Sequence, residues 1–347
     1  MHAGPAARAV RLFWRGDPRG PSLDSMETHL RTATARQPAR SARRPASRGG
    51  LRRSLAVCLL GAVVMAVGCA GANARRAERT KVAQKHYEIA VGSFHAGMFE
   101  DAKAQLRRAL AENPDHADSH YLMGVLLLQE GKSVLDALEN ERCLTDAAAA
   151  LQRERAMDLH RRAEASFRKA LEHYGPDDAG RGRALNSLAV VALHFDRYDE
   201  AIEYAAKALD VQHYNERFSA LANLGWAYYG KQDLIRATTE LRQAVLLNPD
   251  FCVGYYRLAR VYMDSDMPDK ALEAAETVLA NDKCPIQDAH RLAGIARAAL
   301  GQADQAGEAF ASCVALAPRS CLAEDCRSLY VATTGHDLQL ASAAPAP

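Results

Sequence analysis

A period of about 34 residues, running from near Ala83 to Pro318, constrains this chain more than any other feature. Its clearest unit holds Leu221, Leu224, Gly225, Trp226 and Tyr228, then Ala237, Leu241, Ala244, Val245 and Pro249. The first unit repeats the pattern with Ala90, Gly97, Phe99, Ala102, Leu106, Ala109 and Pro114, and further units begin near Ala117, Gly182, Cys252 and Gln287. Each unit carries two apolar runs at i, i+4 and i+7 spacing, which is helical periodicity. A short polar turn with Gly97, Asp196 or Gly301 separates them. Ala90, Gly124, Ala189, Gly225, Ala259 and Gly294 recur where small side chains let two helices approach. One such hairpin cannot bury its apolar faces alone, so its neighbours must stack on it as a solenoid. The aromatic content of 6% fits close-packed helices better than a sandwich of β-branched and aromatic strands.

These residues resemble tetratricopeptide repeats, six in all. The resemblance implies an all-α fold, a right-handed superhelical solenoid of helix-turn-helix repeats over residues 83–318. A solvated capping helix is expected over 319–332, where Ser320, Glu324, Asp325 and Arg327 stand. Residues 333–347 are small and rich in Pro, the composition of a disordered tail.

The second unit departs from the pattern. Gly131 should be followed by the second helix within about five residues, yet the matching Ala163 lies 32 positions on, an insertion of 27 over about 132–162. No Gly or Pro occurs from Lys132 to Tyr174, and Thr145 and Asp146 offer an N-cap. We expect a break near Arg142–Leu144 and a long helix from there to Tyr174 that protrudes beyond its neighbours.

The formal charge of +2 hides an asymmetry: residues 1–68 balance to +9 and residues 69–347 to −7. Residues 1–50, rich in Arg, Ala, Pro, Ser and Gly, read as a disordered basic segment. Residues 51–68 read as a signal peptide, with Arg52 and Arg53 ahead of the uncharged run Leu55–Gly68, which is too short to span a bilayer. The basic region is unusually long for a signal, which points to a start downstream of Met1. Ala66, Val67, Gly68 and Cys69 resemble the lipobox of bacterial lipoproteins. That resemblance implies acylation of Cys69, membrane association through the lipid, a linker over 69–82, and sorting to the outer membrane because Ala70 follows the Cys. With the basic segment removed, the acidic remainder is a poor partner for nucleic acid.

In the tetratricopeptide fold the second apolar stripe of each first helix lines the concave side. Here that stripe carries Tyr87, Val91, Phe94, Tyr121, Val125, Leu128, Trp226, Tyr229, Tyr256 and Met263, a lining suited to an apolar peptide or helix. The Lys and Asn pattern of carboxylate-clamp repeats is not matched as a set, since Gln84, Tyr87, Arg183 and Asn186 stand at those positions. Apart from Cys58 in the signal core and Cys69, six cysteines remain in an oxidising compartment, enough for three disulfides. Antiparallel hairpin geometry brings Cys252 and Cys284 to one end, and Cys313, Cys321 and Cys326 cluster at the cap, where Cys313 with Cys326 is a candidate pair.

No catalytic, metal or cofactor constellation emerges. Gly131, Lys132 and Ser133 imitate the end of a phosphate loop, but Gly124 stands two residues out of place and on a helix. The 12 His include no H-E-x-x-H, and the Cys spacing at the C-terminus is not that of a tight zinc site. A lipobox followed by six such repeats is similar to the type IV pilus biogenesis lipoproteins, the pilotins of the pilus secretin. That similarity implies a non-enzymatic scaffold that binds the secretin subunit in the periplasm, with an adaptor lipoprotein for a protease or peptidoglycan enzyme, or a barrel-assembly component, as alternatives.

Overall fold

A computed structural model describes residues 74–338, apart from Arg142 and Thr145. The basic segment, the signal peptide, Cys69 and the end of the tail lie outside the described residues. Helices α1 (74–95) and α2 (Phe99–Glu112) form the first hairpin, and α3 (Ala117–Asp136) and α4 (Ala147–His173) the second. Then follow α5 (Ala179–His194) with α6 (Tyr198–Asp210), α7 (Arg217–Gly230) with α8 (Leu234–Leu247), α9 (Cys252–Asp264) with α10 (Pro268–Leu279), and α11 (Gln287–Ala299) with α12 (Ala303–Leu316). Helix α13 (Cys321–Thr334) closes the array, and among the described residues there is no strand. None of their helices is long and apolar enough to cross a membrane. From Arg79 onward the helices belong to one compact unit; of the unit ending at Glu78 only residues 74–78 are described, and they are helical.

The linker expected over 69–82 is therefore shorter, because helix begins by residue 74. Ala74–Lys81 is built from Ala, Arg, Glu and Lys except for Thr80, and these residues lose little rotamer freedom in a helix. The cap extends to Thr334, two residues past the expected bound, and ends on Gly335 at φ 76°. Ser320 caps its start by accepting a hydrogen bond from the Ala323 amide at 3.0 Å.

The small-residue register explains the hairpins. Ala102, Ala163, Ala201, Ala237, Ala271 and Ala306 on the second helices are fully buried, as are Ala90, Ala189 and Ala259 opposite them. Where the first helix has glycine, a larger partner uses the space: a Cβ on Gly124 would lie 2.6 Å from the Phe167 ring, and one on Gly294 2.5 Å from that of Phe310. Turn geometry repeats as well. Gly97, Asp196, Gln232, Asp266 and Gly301, each seven residues after the small residue, have φ between 53° and 80°. The next residue's amide then reaches back five positions, as in Arg197 to the Ala192 carbonyl at 2.9 Å and Gln302 to that of Arg297 at 2.9 Å. This bond satisfies a carbonyl that the helix end leaves bare.

Gly131 occupies the same register and does not turn. Helix α3 continues through it to Asp136 and passes into a π-helical turn over Ala137–Glu141. Gly131 instead lies under His160 of α4, where a Cβ would sit 2.6 Å from the ring. Helix α4 starts sixteen residues before Ala163, whereas each other second helix starts three before its equivalent Ala. The extra thirteen residues add roughly 20 Å at 1.5 Å each, so the second hairpin carries an arm. Glu130 ties the arm's root to α2 through Lys103 at 3.0 Å. At the tip the Leu144 amide donates to the Leu138 carbonyl at 2.9 Å, and Arg153 donates to the Leu144 carbonyl at 2.9 Å.

The structure places Cys252 beside Cys284 and Cys313 beside Cys326, both as disulfides, with Cα atoms 6.1 and 6.3 Å apart. A third disulfide, absent from the sequence expectations, joins Cys143 at the arm's tip to Cys321 in the first turn of α13.

Candidate functional site

The stripe residues divide into two groups by what they touch. Tyr87, Val91 and Phe94 are half-buried against Ala90, Ala102, Leu106, Leu122 and Leu126. Tyr121, Val125 and Leu128 pack likewise on Leu127, Leu159, Phe167, Leu188 and Val191, with the Tyr121 and Phe167 rings 5.7 Å apart. Much of their surface goes into joining repeats one to three. Arg183, from the clamp register, lies 5.6 Å over the Tyr121 ring.

The second group, on α7, α9 and α11, combines aromatic surface with charge. Trp226 stacks on Tyr229 with ring centroids 4.6 Å apart, while the Arg257 guanidinium sits 5.3 Å over the indole. Tyr229, Tyr256 and Met263 pack in part on the core of repeats four to six, and Trp226 is half-buried outside it. Tyr229 donates its hydroxyl to Asp264 at 2.6 Å and Tyr256 donates to Asp288 at 2.8 Å. Burial first, and then these carboxylates, push both phenols up to about 12. Asp288 also accepts from Arg260 at 3.0 Å and Arg291 at 2.5 Å. Burial alone would raise its pKa, but Arg291 and Arg260 hold it below the usual carboxylate range.

A polar ladder runs behind this surface. Asn186 donates to Ser219 at 3.1 Å, Asn223 donates to Asn186 at 2.8 Å, and Arg257 donates to Asn223 at 2.9 Å and to the Ala222 carbonyl at 3.0 Å. Asn223 and Arg257 are one repeat period apart, so the same register position of consecutive first helices supplies both. Sequence reasoning missed Arg257, Arg260 and Asp288 because it followed apolar residues along the stripe. The repeat register was the signal that could have found them. Among the described residues no group of three or more His, Cys, Asp or Glu side chains is placed to hold a metal ion. His160 and His194 lie close, with ring centroids 4.4 Å apart.

Family models described as tetratricopeptide repeats match residues 94–142, 147–213, 218–251 and 256–320, well over half of the chain. The chain belongs to the tetratricopeptide-repeat family. Comparison with curated proteins finds no match. Among solved structures, this tetratricopeptide protein is similar to PilW, described as a widely conserved type IV pilus biogenesis factor, with TM-score 0.55 and 20% identity over 70% of this chain and 97% of that one. It is also similar to PilF of Pseudomonas aeruginosa, with TM-score 0.54 and 18% identity over 72% of this chain and 99% of that one. A third similar structure is the APC/C hetero-tetramer Cut9–Hcn1, with TM-score 0.57 and 15% identity over 72% of this chain but only 42% of that one. These likenesses show the solenoid fold. The family is generally one of non-enzymatic scaffolds for protein–protein interaction.

Proposed function

We propose that this chain is a lipid-anchored scaffold at the periplasmic face of the outer membrane. It binds the secretin subunit of a type IV pilus through the concave face of its repeats, and promotes the secretin's localisation and multimer assembly. The observation that carries the reading is a combination. A lipobox-like Ala66–Cys69 precedes a six-repeat solenoid whose likeness extends over 97% of PilW and 99% of PilF. Acyl chains on Cys69 would hold the solenoid at the bilayer, since each buried CH₂ contributes about 0.8 kcal/mol. The Trp226–Tyr229 stack supplies the rigid, amphipathic contact area that protein interfaces favour.

The test is a gel of heat-resistant secretin multimers from outer membranes of cells with and without this gene. Loss of the multimer with secretin monomer still present is the expected result. An unchanged multimer rejects the reading and turns attention to a protease, a peptidoglycan enzyme or the barrel-assembly machinery as client. The anchor is tested separately: Cys69→Ala should remain unprocessed or leave the outer membrane, and normal fractionation of that variant would sink the lipoprotein assignment.

A further inference from the structure

The charges on the α7–α9–α11 face do not cancel. Among the described residues, Asp288 accepts from both Arg260 and Arg291, while Asp264 accepts from the Tyr229 hydroxyl. Arg257 is the cation in excess: among the described residues it contacts the Ala222 carbonyl, the Asn223 amide oxygen and the Trp226 ring, and none of their carboxylates lies within ion-pair reach. Both acceptors engage the same nitrogen, Nη1, which leaves Nη2 and Nε as unused donors. The excess runs against the chain's own balance, since residues 69–347 sum to −7.

A half-buried guanidinium without an acid is costly to maintain. Burial pulls Arg257 down to about 10, although nothing removes its charge at neutral pH. Asn223 and the Ala222 carbonyl fix its orientation, and it lies 5.3 Å over the indole. The result is a positioned donor fork beside an aromatic stack, the arrangement that recognises a carboxylate next to an apolar side chain.

We propose that this part of the concave face binds an extended polypeptide segment through an internal Asp or Glu, whose carboxylate pairs with Arg257 while a neighbouring apolar side chain lies on the Trp226–Tyr229 stack. This deepens the reading of the concave face as the partner surface and rests on it. The carboxylate would supply the counter-charge that the fold omits, and the apolar neighbour would cover the ring surface that no core residue covers. An internal acid is favoured over a chain end because Gln84 and Tyr87 replace the Lys and Asn of the first clamp position.

The chain has two tryptophans, so Trp14→Phe leaves Trp226 as the sole reporter in the full chain. The probes are three short peptides of Ser and Leu. One has internal Glu and blocked ends, one has Gln in place of Glu and blocked ends, and one has Gln and a free C-terminal carboxylate. The Glu peptide should shift Trp226 emission and bind about tenfold more tightly than the blocked Gln peptide, as for one charge-assisted hydrogen-bonded pair. Arg257→Gln should erase that preference, and Arg257→Lys should keep part of it. Equal affinity for the Glu and Gln peptides overturns the proposal without any variant. So does a preference that survives in folded Arg257→Gln, or tighter binding of the free-carboxylate peptide than of the Glu peptide. Loss of the Glu preference with a secretin-multimer defect still present faults only this chemistry. A preserved preference with no multimer defect faults only the secretin reading.

Discussion

Cys143, at the tip of the arm in the second repeat, is bonded to Cys321, 178 residues later in the first turn of α13, with their Cα atoms 4.4 Å apart. The bond makes one covalent loop of everything from α4 to α12, so the two ends of this stretch of solenoid cannot separate. Chain entropy alone assigns about 5 kcal/mol to closing a loop of this length, and measured disulfides usually give about 2–4 kcal/mol. Cys143→Ser should therefore lower the unfolding free energy by about 2–4 kcal/mol in denaturant titrations. The other two disulfides should be unaffected by it. An unchanged midpoint would show that the arm is not held to the cap in solution.

Two residues of the repeat register predict opposite outcomes. Gln232 holds φ 62° in a turn where Gly97 and Gly301 do the same without a side chain. Gln232→Gly should raise stability by about 0.5–1 kcal/mol through relief of the left-handed strain, less the entropy that Gly loses. Gly124 lies under Phe167, where a Cβ has only 2.6 Å. Gly124→Ala should cost about 1–3 kcal/mol by overpacking. Thermal unfolding of both variants checks the pair; a destabilised Gln232→Gly would mean that its side chain makes a contact worth more than the strain.

The solenoid was legible because each helix pair repeats the same small-residue register, and Ala90, Gly225 and Gly294 report close approach whatever surrounds them. The long second helix of repeat two was legible from the absence of Gly and Pro between Lys132 and Tyr174. The failure of Gly131 to turn was not, because its neighbour His160 lies 29 residues away and only the folded hairpin brings them together. The Cys143–Cys321 bond was hidden for the same reason, since hairpin logic pairs neighbours and this pair spans five repeats. At the site, the apolar stripe pointed to Trp226 and Tyr229 but not to Arg257. A charged residue in a helix reads as solvated until the structure shows what it lies over.

Trp226 and Tyr229 should be needed for partner capture in a solenoid that folds without them. Among the described residues Trp226 lies outside the core of repeats four to six, stacked on Tyr229 with Arg257 over its ring. Trp226→Ala combined with Tyr229→Ala should weaken partner capture by about tenfold or more, as for a central aromatic anchor. The solenoid should stay folded, with the unfolding free energy lower by about 2–3 kcal/mol from the lost packing of Tyr229 on the core and its hydrogen bond to Asp264. Undiminished capture in a pulldown would move the partner surface elsewhere, first to the arm and α4.

The buried imidazole at the root of the arm should make the fold acid-sensitive above the carboxylate range. His160 is fully buried, and burial, then the charge of His194, pushes its pKa down to about 4. His194 is itself lowered by burial and by the charges of Arg257 and Lys132. An unfolded histidine titrates near 6.5, so between about 6.5 and 4 the unfolded chain binds a proton that the folded chain refuses. Stability is thus complete above about pH 6.5 and declines as pH falls toward 4, by about 3 kcal/mol for the shift of His160. His160→Leu, which cannot titrate, should be less sensitive to pH across that window whatever its stability at neutral pH. Denaturant midpoints between pH 7 and pH 4 would measure the slope, and an equal slope in the variant would show that His160 is not the group being protonated.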